Sequence, residues 1–443
     1  MSIHKECRTE IEKIIKLLDL NNKYVLSFGF ANYLHGRGGV DKVIAEHQEL
    51  LNQNDISYIF ISKYQKIIGN HSLFSNLFSV VIDGKFICFA DEIKIYEFLN
   101  LLSDKKYELV GAFIHHFIDV DLDFVQKLLN CMRCSIFFYV HDFYSVCIQY
   151  NLLKNDEKYC GAEECCEKKC FDCQYFRTNL LYKKNFDHFF QKYYDRLQII
   201  APSKCAGEIW IKSHQQFVNK LSIIWHQKIV LSDNIHRKNE VNKPIKVAFI
   251  GSKVKVKGWK TCKNLFNRIK DDTRYELIYC GSYDIEEKYI KKINVHVKSG
   301  NLGAMTNSLQ QEKVDCVILW SIWPETYAYT YFEAWASDCF IITSESSGNI
   351  ASSVKQNKNG IVLKNEKDLD EIFLNGKIFD LINTYRADNI KCPEELLINN
   401  EILALLDSVG YEIKLNKQKF NNNCISRKIA NFLYRIKELC RRK

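Results

Sequence analysis

The sequence predicts an α/β protein made of two similar halves, each a parallel sheet with helices on both faces. Three observations lead there. Compact apolar runs alternate with helix-period patterns along most of the chain, the signature of strand–helix–strand units. The alternation pauses in an Asn-, Lys- and Asp-rich stretch, Val230–Lys243, and restarts after Pro244. Of the 443 residues, 47% are hydrophobic and 26% charged, enough apolar material for two substantial cores.

The elements follow in order. Tyr24–Phe30 is an apolar strand; Gly36-Arg37-Gly38-Gly39 turns into a helix carrying Val40, Val43, Ile44, His47, Leu50 and Leu51. Ile56–Ile61 is the next strand. Phe78–Ile82 and Phe86–Phe89 flank Asp83-Gly84, the signal of a type I′ hairpin. Leu109–Ile114 and Ser135–Val140 bracket a helix near Phe124–Leu129, and Leu197–Ala201 is a further strand. Beyond the linker, strands are expected at Ile245–Ile250, Glu276–Tyr279, Cys316–Leu319 and Phe340–Thr343, with helices at Thr261–Ile269 and Glu333–Ser337. Ligands of open α/β sheets bind at the carboxyl ends of the strands, so the two halves are expected to face a common cleft.

Charge narrows the function. Ten of the Lys and Arg residues lie between Glu412 and Lys443 against two Glu, so this tail carries +8 of the net +9. The nearly neutral body lacks the basic face of a nucleic-acid binder. Met1–Asp19 reads as an amphipathic helix and not an export signal, and no run approaches the ~18 apolar residues of a membrane span. Eighteen cysteines in such a chain point to a reducing compartment. Ile425, Ile429, Phe432, Leu433, Ile436 and Leu439 share one helical face in the tail. That face suits either an anionic membrane surface or packing back onto the first half.

The chemistry concentrates in Trp323-Pro-Glu-Thr-Tyr-Ala-Tyr-Thr-Tyr-Phe-Glu333. With a helix starting after Pro324, Glu325 falls in the preceding loop and Glu333 about two turns in. Backbone N–H groups near Ala328, Tyr329 and Thr330 then meet a diphosphate at the helix N-terminus. Gly251-Ser-Lys-Val-Lys-Val-Lys257-Gly258 closes a strand and opens a helix, where glycine and lysine hold phosphate. Two glutamates alone would be solvated carboxylates, and a lysine-rich loop alone a solvated loop.

Taken together, the two Glu with seven residues between them, the following Ala-Trp-Ala-Ser and the strand beyond resemble the donor-site motif of the large retaining family-four glycosyltransferases. The resemblance implies a GT-B fold, two Rossmann-like domains facing a central cleft. It implies that Glu325 contacts the donor sugar, Glu333 the ribose, and Tyr329, Thr330, Gly251 and Lys257 the diphosphate. Ser252 stands where the family commonly has Arg, with Lys253 or Lys255 as substitutes. Gly38 and Gly39 resemble the family's opening Gly-Gly turn. His116 and His141 end strands at the expected cleft, with Asp142 as the orienting neighbour of His141. In the family a histidine near this place hydrogen-bonds the donor sugar, and the leaving diphosphate helps deprotonate the acceptor.

Cys147, Cys160, Cys170 and Cys173, with Cys165 or Cys166 as a replacement, resemble an insertion in polysaccharide-building members; four thiolates suit structural zinc, and buried free thiols are the competing reading. No cofactor is expected for catalysis. The expected organisation is an acceptor-side domain over 1–240 with the cysteine-rich insertion at about 147–176, a nucleotide-sugar domain over 241–411, and the basic tail 412–443. The implied activity is retaining transfer of a hexose-type sugar from a nucleotide-sugar to a glycan or lipid-linked acceptor, as in O-antigen or capsule synthesis, in the cytoplasm or at the inner face of the plasma membrane. A GT-B-shaped sugar-nucleotide epimerase and a non-catalytic binding module are the alternatives.

Overall fold

A computed structural model describes residues 20–36, 38–64, 76–162, 167–231, 244–295, 303–388, 391–406, 427–428 and 430–431. The expected N-terminal helix Met1–Asp19, Arg37, Cys165, Cys166 and most of the linker and tail lie outside them. Among the described residues two large sheets form. The first runs β10-β9-β6-β5-β1-β2-β3-β4, from β1 (Lys23–Gly29), β2 (Ile56–Lys63), β3 (Leu77–Ile82), β4 (Lys85–Asp91), β5 (Glu108–Ile114), β6 (Ile136–Tyr139), β9 (Leu197–Ala201) and β10 (Leu221–Ile223). β7 (Leu153–Lys154) and β8 (Lys158–Tyr159) pair separately in the cysteine-containing region.

From β10 to β2 the first sheet is parallel. Its strands are buried along nearly their whole length because helices cover both faces. β3 and β4 form the antiparallel hairpin, and Asp83 (φ 47°) and Gly84 (φ 74°) both take the left-handed conformation that a type I′ turn requires.

The second sheet is parallel throughout, in the order β14-β13-β12-β15-β16-β17. Its strands are β12 (Ile245–Ile250), β13 (Tyr275–Gly281), β14 (Lys291–Asn294), β15 (Cys316–Leu319), β16 (Phe340–Ser344) and β17 (Gly360–Leu363). Between the sheets β11 (Gln227–Leu231) pairs antiparallel with β18 (Pro393–Ile398). Val230 and Leu231, expected in the linker, therefore belong to a strand whose partner lies far along the sequence.

After β18 the chain returns to the first sheet. Ile402 and Leu406 pack with Val110, Phe113 and Phe137. Farther on, Arg427 pairs with Asp91, and the Asn431 side chain bonds both backbone groups of Phe89 on the outer strand β4. Among the described residues no helix is long and apolar enough to cross a membrane.

Candidate donor site between the two sheets

Helix α1 (Gly39–Asn52) starts at Gly38, whose N–H donates to Asp41 Oδ2 at 2.9 Å. A β-carbon on Gly39 would lie 3.6 Å from the Tyr329 ring of the other half. Tyr329 opens helix α2 (Tyr329–Ala336), with Ala328 as its cap. Gly251, held at φ +94° after β12, brings its Cβ position to 3.4 Å from Thr330 Cγ2. Two helix N-termini and a glycine turn thus converge on one point, and each helix start presents a positive dipole end there. Gly38, Gly39, Gly251, Tyr329 and Thr330 are brought together there.

Helix α2 begins at Tyr329 and not directly after Pro324, so Glu333 stands about one turn into it, where two were expected. Residues 325–328 stay outside the helix because tertiary contacts hold them. The Glu325 carbonyl accepts from Asn349 N–H at 2.9 Å, Thr326 Oγ1 donates to the His141 carbonyl at 2.6 Å, and Ser203 Oγ donates to the Thr326 carbonyl at 2.7 Å. The last two contacts join the halves.

The carboxylate of Glu325 is 2% exposed and takes both bonds from Lys257 Nζ, at 2.7 and 2.8 Å, and one from Ser321 Oγ. Lys257 ends a 3-10 turn, and Gly258 follows at φ +79°. There a β-carbon would fall 2.0 Å from the Trp320 carbonyl oxygen, so the turn needs glycine. Neither expected substitute for the missing Arg reaches this place. Lys253 Nζ donates to the Asp284 carbonyl at 2.5 Å, and Lys255 Nζ crosses to the Asp156 carbonyl at 2.9 Å.

Glu333 is buried and faces Lys42 of α1, with Nζ 3.9 Å away. Burial pushes its carboxyl up, and Lys42 pulls it back. Glu46, one turn along α1, accepts from the Tyr329 hydroxyl at 2.8 Å and is raised to about 7, by burial first and with Lys42 opposing. Lys42 sits 4.0 Å from the Tyr329 ring centre. Neither Lys42 nor Glu46 stood out in the sequence; the one available signal was their i, i+4 spacing just after the Gly-Gly turn.

The strand ends of the first sheet supply histidines. His115 Nδ1 and His141 Nε2 are 2.9 Å apart with rings stacked, and His47 and His226 complete the group. His115, not His116, is thus the neighbour of His141. His116 points to the opposite side, its ring 6.0 Å from that of Phe30, and burial lowers it to about 4. Asp142 does not orient His141: its carboxylate accepts from the Tyr144 N–H at 2.8 Å, and burial raises it to about 7.

Of the expected zinc ligands, Cys165 and Cys166 lie outside the described residues. Cys160, Cys170 and Cys173 lie within electrostatic reach of one another, whereas Cys147 packs against the core of the first sheet. Among the described residues no group of three or more His, Cys, Asp or Glu is arranged to hold a metal.

Residues 232–375 match the family described as glycosyl transferases group 1. Sucrose-phosphate synthase from Thermosynechococcus elongatus shares the fold with a TM-score of 0.51 at 11% identity, over 86% of this chain and 96% of that one. A variant of S. aureus TarM in complex with fondaparinux, alpha-GlcNAc-glycerol and UDP gives 0.51 at 10% identity, over 82% and 95%. A search among curated proteins found no match. The chain thus has the GT-B fold, and its residues 232–375 are similar to the glycosyl transferases group 1 family.

Proposed function

We propose that the enzyme transfers a hexose-type sugar with retention from a nucleoside-diphosphate donor to a hydroxyl of a glycan or lipid-linked acceptor in bacterial surface polysaccharide synthesis. The observation that carries this reading is the convergence of the α1 and α2 N-termini and Gly251 beside the Lys257–Glu325 pair. A diphosphate placed there meets N–H donors and one lysine, which offset the charge that develops as it leaves. Ribose hydroxyls are natural donors to Glu333, for which Lys42 must move aside. In the transfer, the bond from the anomeric carbon to the diphosphate oxygen breaks. A bond from that carbon to the acceptor oxygen forms on the same face, and the acceptor proton passes to the departing diphosphate. UDP in the TarM complex makes uridine the first base to test.

The test is thermal stabilisation by nucleoside diphosphates and nucleotide-sugars, with Glu333→Ala alongside. A ligand at one hundred times its dissociation constant adds about 2.7 kcal/mol. Wild type is expected to shift with one base and the variant much less. A folded wild type that no nucleotide stabilises would sink the proposal.

A further inference from the structure

Four side chains join into one hydrogen-bonded line from the core of the first sheet to the cleft. Ser27 Oγ lies 2.7 Å from the Tyr58 hydroxyl, that hydroxyl 3.0 Å from His115 Nε2, and His115 Nδ1 2.9 Å from His141 Nε2. Ser27, Tyr58 and His115 have no exposed surface, and His141 retains 8%. They come from β1, β2 and the residues that follow β5 and β6. Tyr139 stacks on both imidazoles. His47 of α1 and His226 before β11 flank the pair, and burial, with the charge effects of these rings and of His116, holds both well below the usual imidazole range, hence neutral.

A neutral imidazole has one N–H donor and one acceptor nitrogen, and each hydroxyl has one proton. Two proton orders run in a single direction along the line, each with one proton in every contact and the fourth proton standing at one end. The phenol is the most acidic of the donors and the imidazole nitrogen the strongest acceptor, which favours Tyr58 donating to His115. We propose that Ser27, Tyr58 and His115 are positioning residues that fix His141 as its Nδ1–H tautomer, a standing hydrogen-bond donor to the donor sugar. The tautomer follows because His115 Nδ1–H then donates to His141 Nε2, leaving the His141 proton on Nδ1. The role of that donor rests on the function proposed above; the tautomer does not.

The experiment is nitrogen NMR of the full chain labelled in histidine, without substrate, for wild type, Tyr58→Phe and Ser27→Ala. Wild type is expected to show His115 and His141 both protonated at Nδ1. Tyr58→Phe should convert both signals to tautomer mixtures. Ser27→Ala, which touches neither ring, keeps the test open if the first variant does not fold, and should move the signals the same way by less. A wild-type proton on His141 Nε2 overturns the proposal, as do unchanged His141 signals in folded variants. With the identified donor, Tyr58→Phe should lower kcat roughly tenfold, the worth of one transition-state hydrogen bond, with KM for the donor nearly constant. If the tautomers respond as expected but no nucleotide binds, the line stands and the proposed function falls.

Discussion

Glu46 and Glu333 meet Lys42 at the cleft with little water around them, and burial favours the neutral acid at both. The raised value of Glu46, about 7 against an ordinary 4.5, sets a sign for stability. The folded state holds this proton more tightly than the unfolded chain, so stability is greatest below about pH 4.5 and declines up to about pH 7. Glu46→Gln, which still accepts from Tyr329, is expected to raise the unfolding midpoint relative to wild type increasingly across that window and then level off. A difference independent of pH in thermal unfolding would show that the carboxyl is not raised. At this scale the sequence reveals residue types but not meetings. Strand alternation could have separated His115 from His116, since successive side chains leave a sheet on opposite faces. The approach of His226 and Lys42 depends on segments far apart in sequence, and no local pattern encodes it.

The element that shapes the loop proposed to face phosphate is the turn Lys255–Gly258. Gly258→Ala forces a methyl group against the Trp320 carbonyl in a left-handed conformation. The expected cost is about 1–3 kcal/mol, read as a lower denaturant midpoint with an unchanged slope. A midpoint equal to wild type would mean that the turn tolerates a side chain. Most elements were legible because their signals are local: apolar runs such as Val25–Phe28, the Asp83-Gly84 turn and the helical spacing of Thr261–Ile269. The start of α2 was not. Pro324 reads as a helix opening, but bonds from Asn349, Ser203 and Thr326 hold the next residues out of the helix. β14, β17 and β11 were missed as well; they are four or five residues long and mostly only partly buried.

Across the whole molecule, the halves are joined by small polar contacts: Thr326 to His141, Ser203 to Thr326, Tyr329 to Glu46, Lys42 to Glu333 and Lys255 to Asp156. Apolar contacts cross as well, since Trp323 packs beside Phe143 in the core of the first sheet, so the seam is mixed. Thr326→Val removes one donor and leaves the His141 carbonyl without it, at about 1–3 kcal/mol. Solution scattering is expected to show a larger mean radius for this variant without nucleotide. An unchanged radius would show that this bond does not hold the halves together. The two-sheet plan was readable from the repeated alternation; the seam was not, because none of its bonds joins neighbours in sequence.

The return of Ile402 and Leu406 to the first sheet has a consequence for synthesis of the chain. Val110, Phe113 and Phe137 receive this apolar cover only after residues made very late have left the ribosome. At ~5–20 residues per second that wait is on the order of tens of seconds. The outer strand β4 waits longer still for Asn431, whose amide occupies Phe89 as a neighbouring strand would. A nascent or truncated chain therefore offers both an apolar face and a bare strand edge, and chaperone demand should concentrate on the half that is made first.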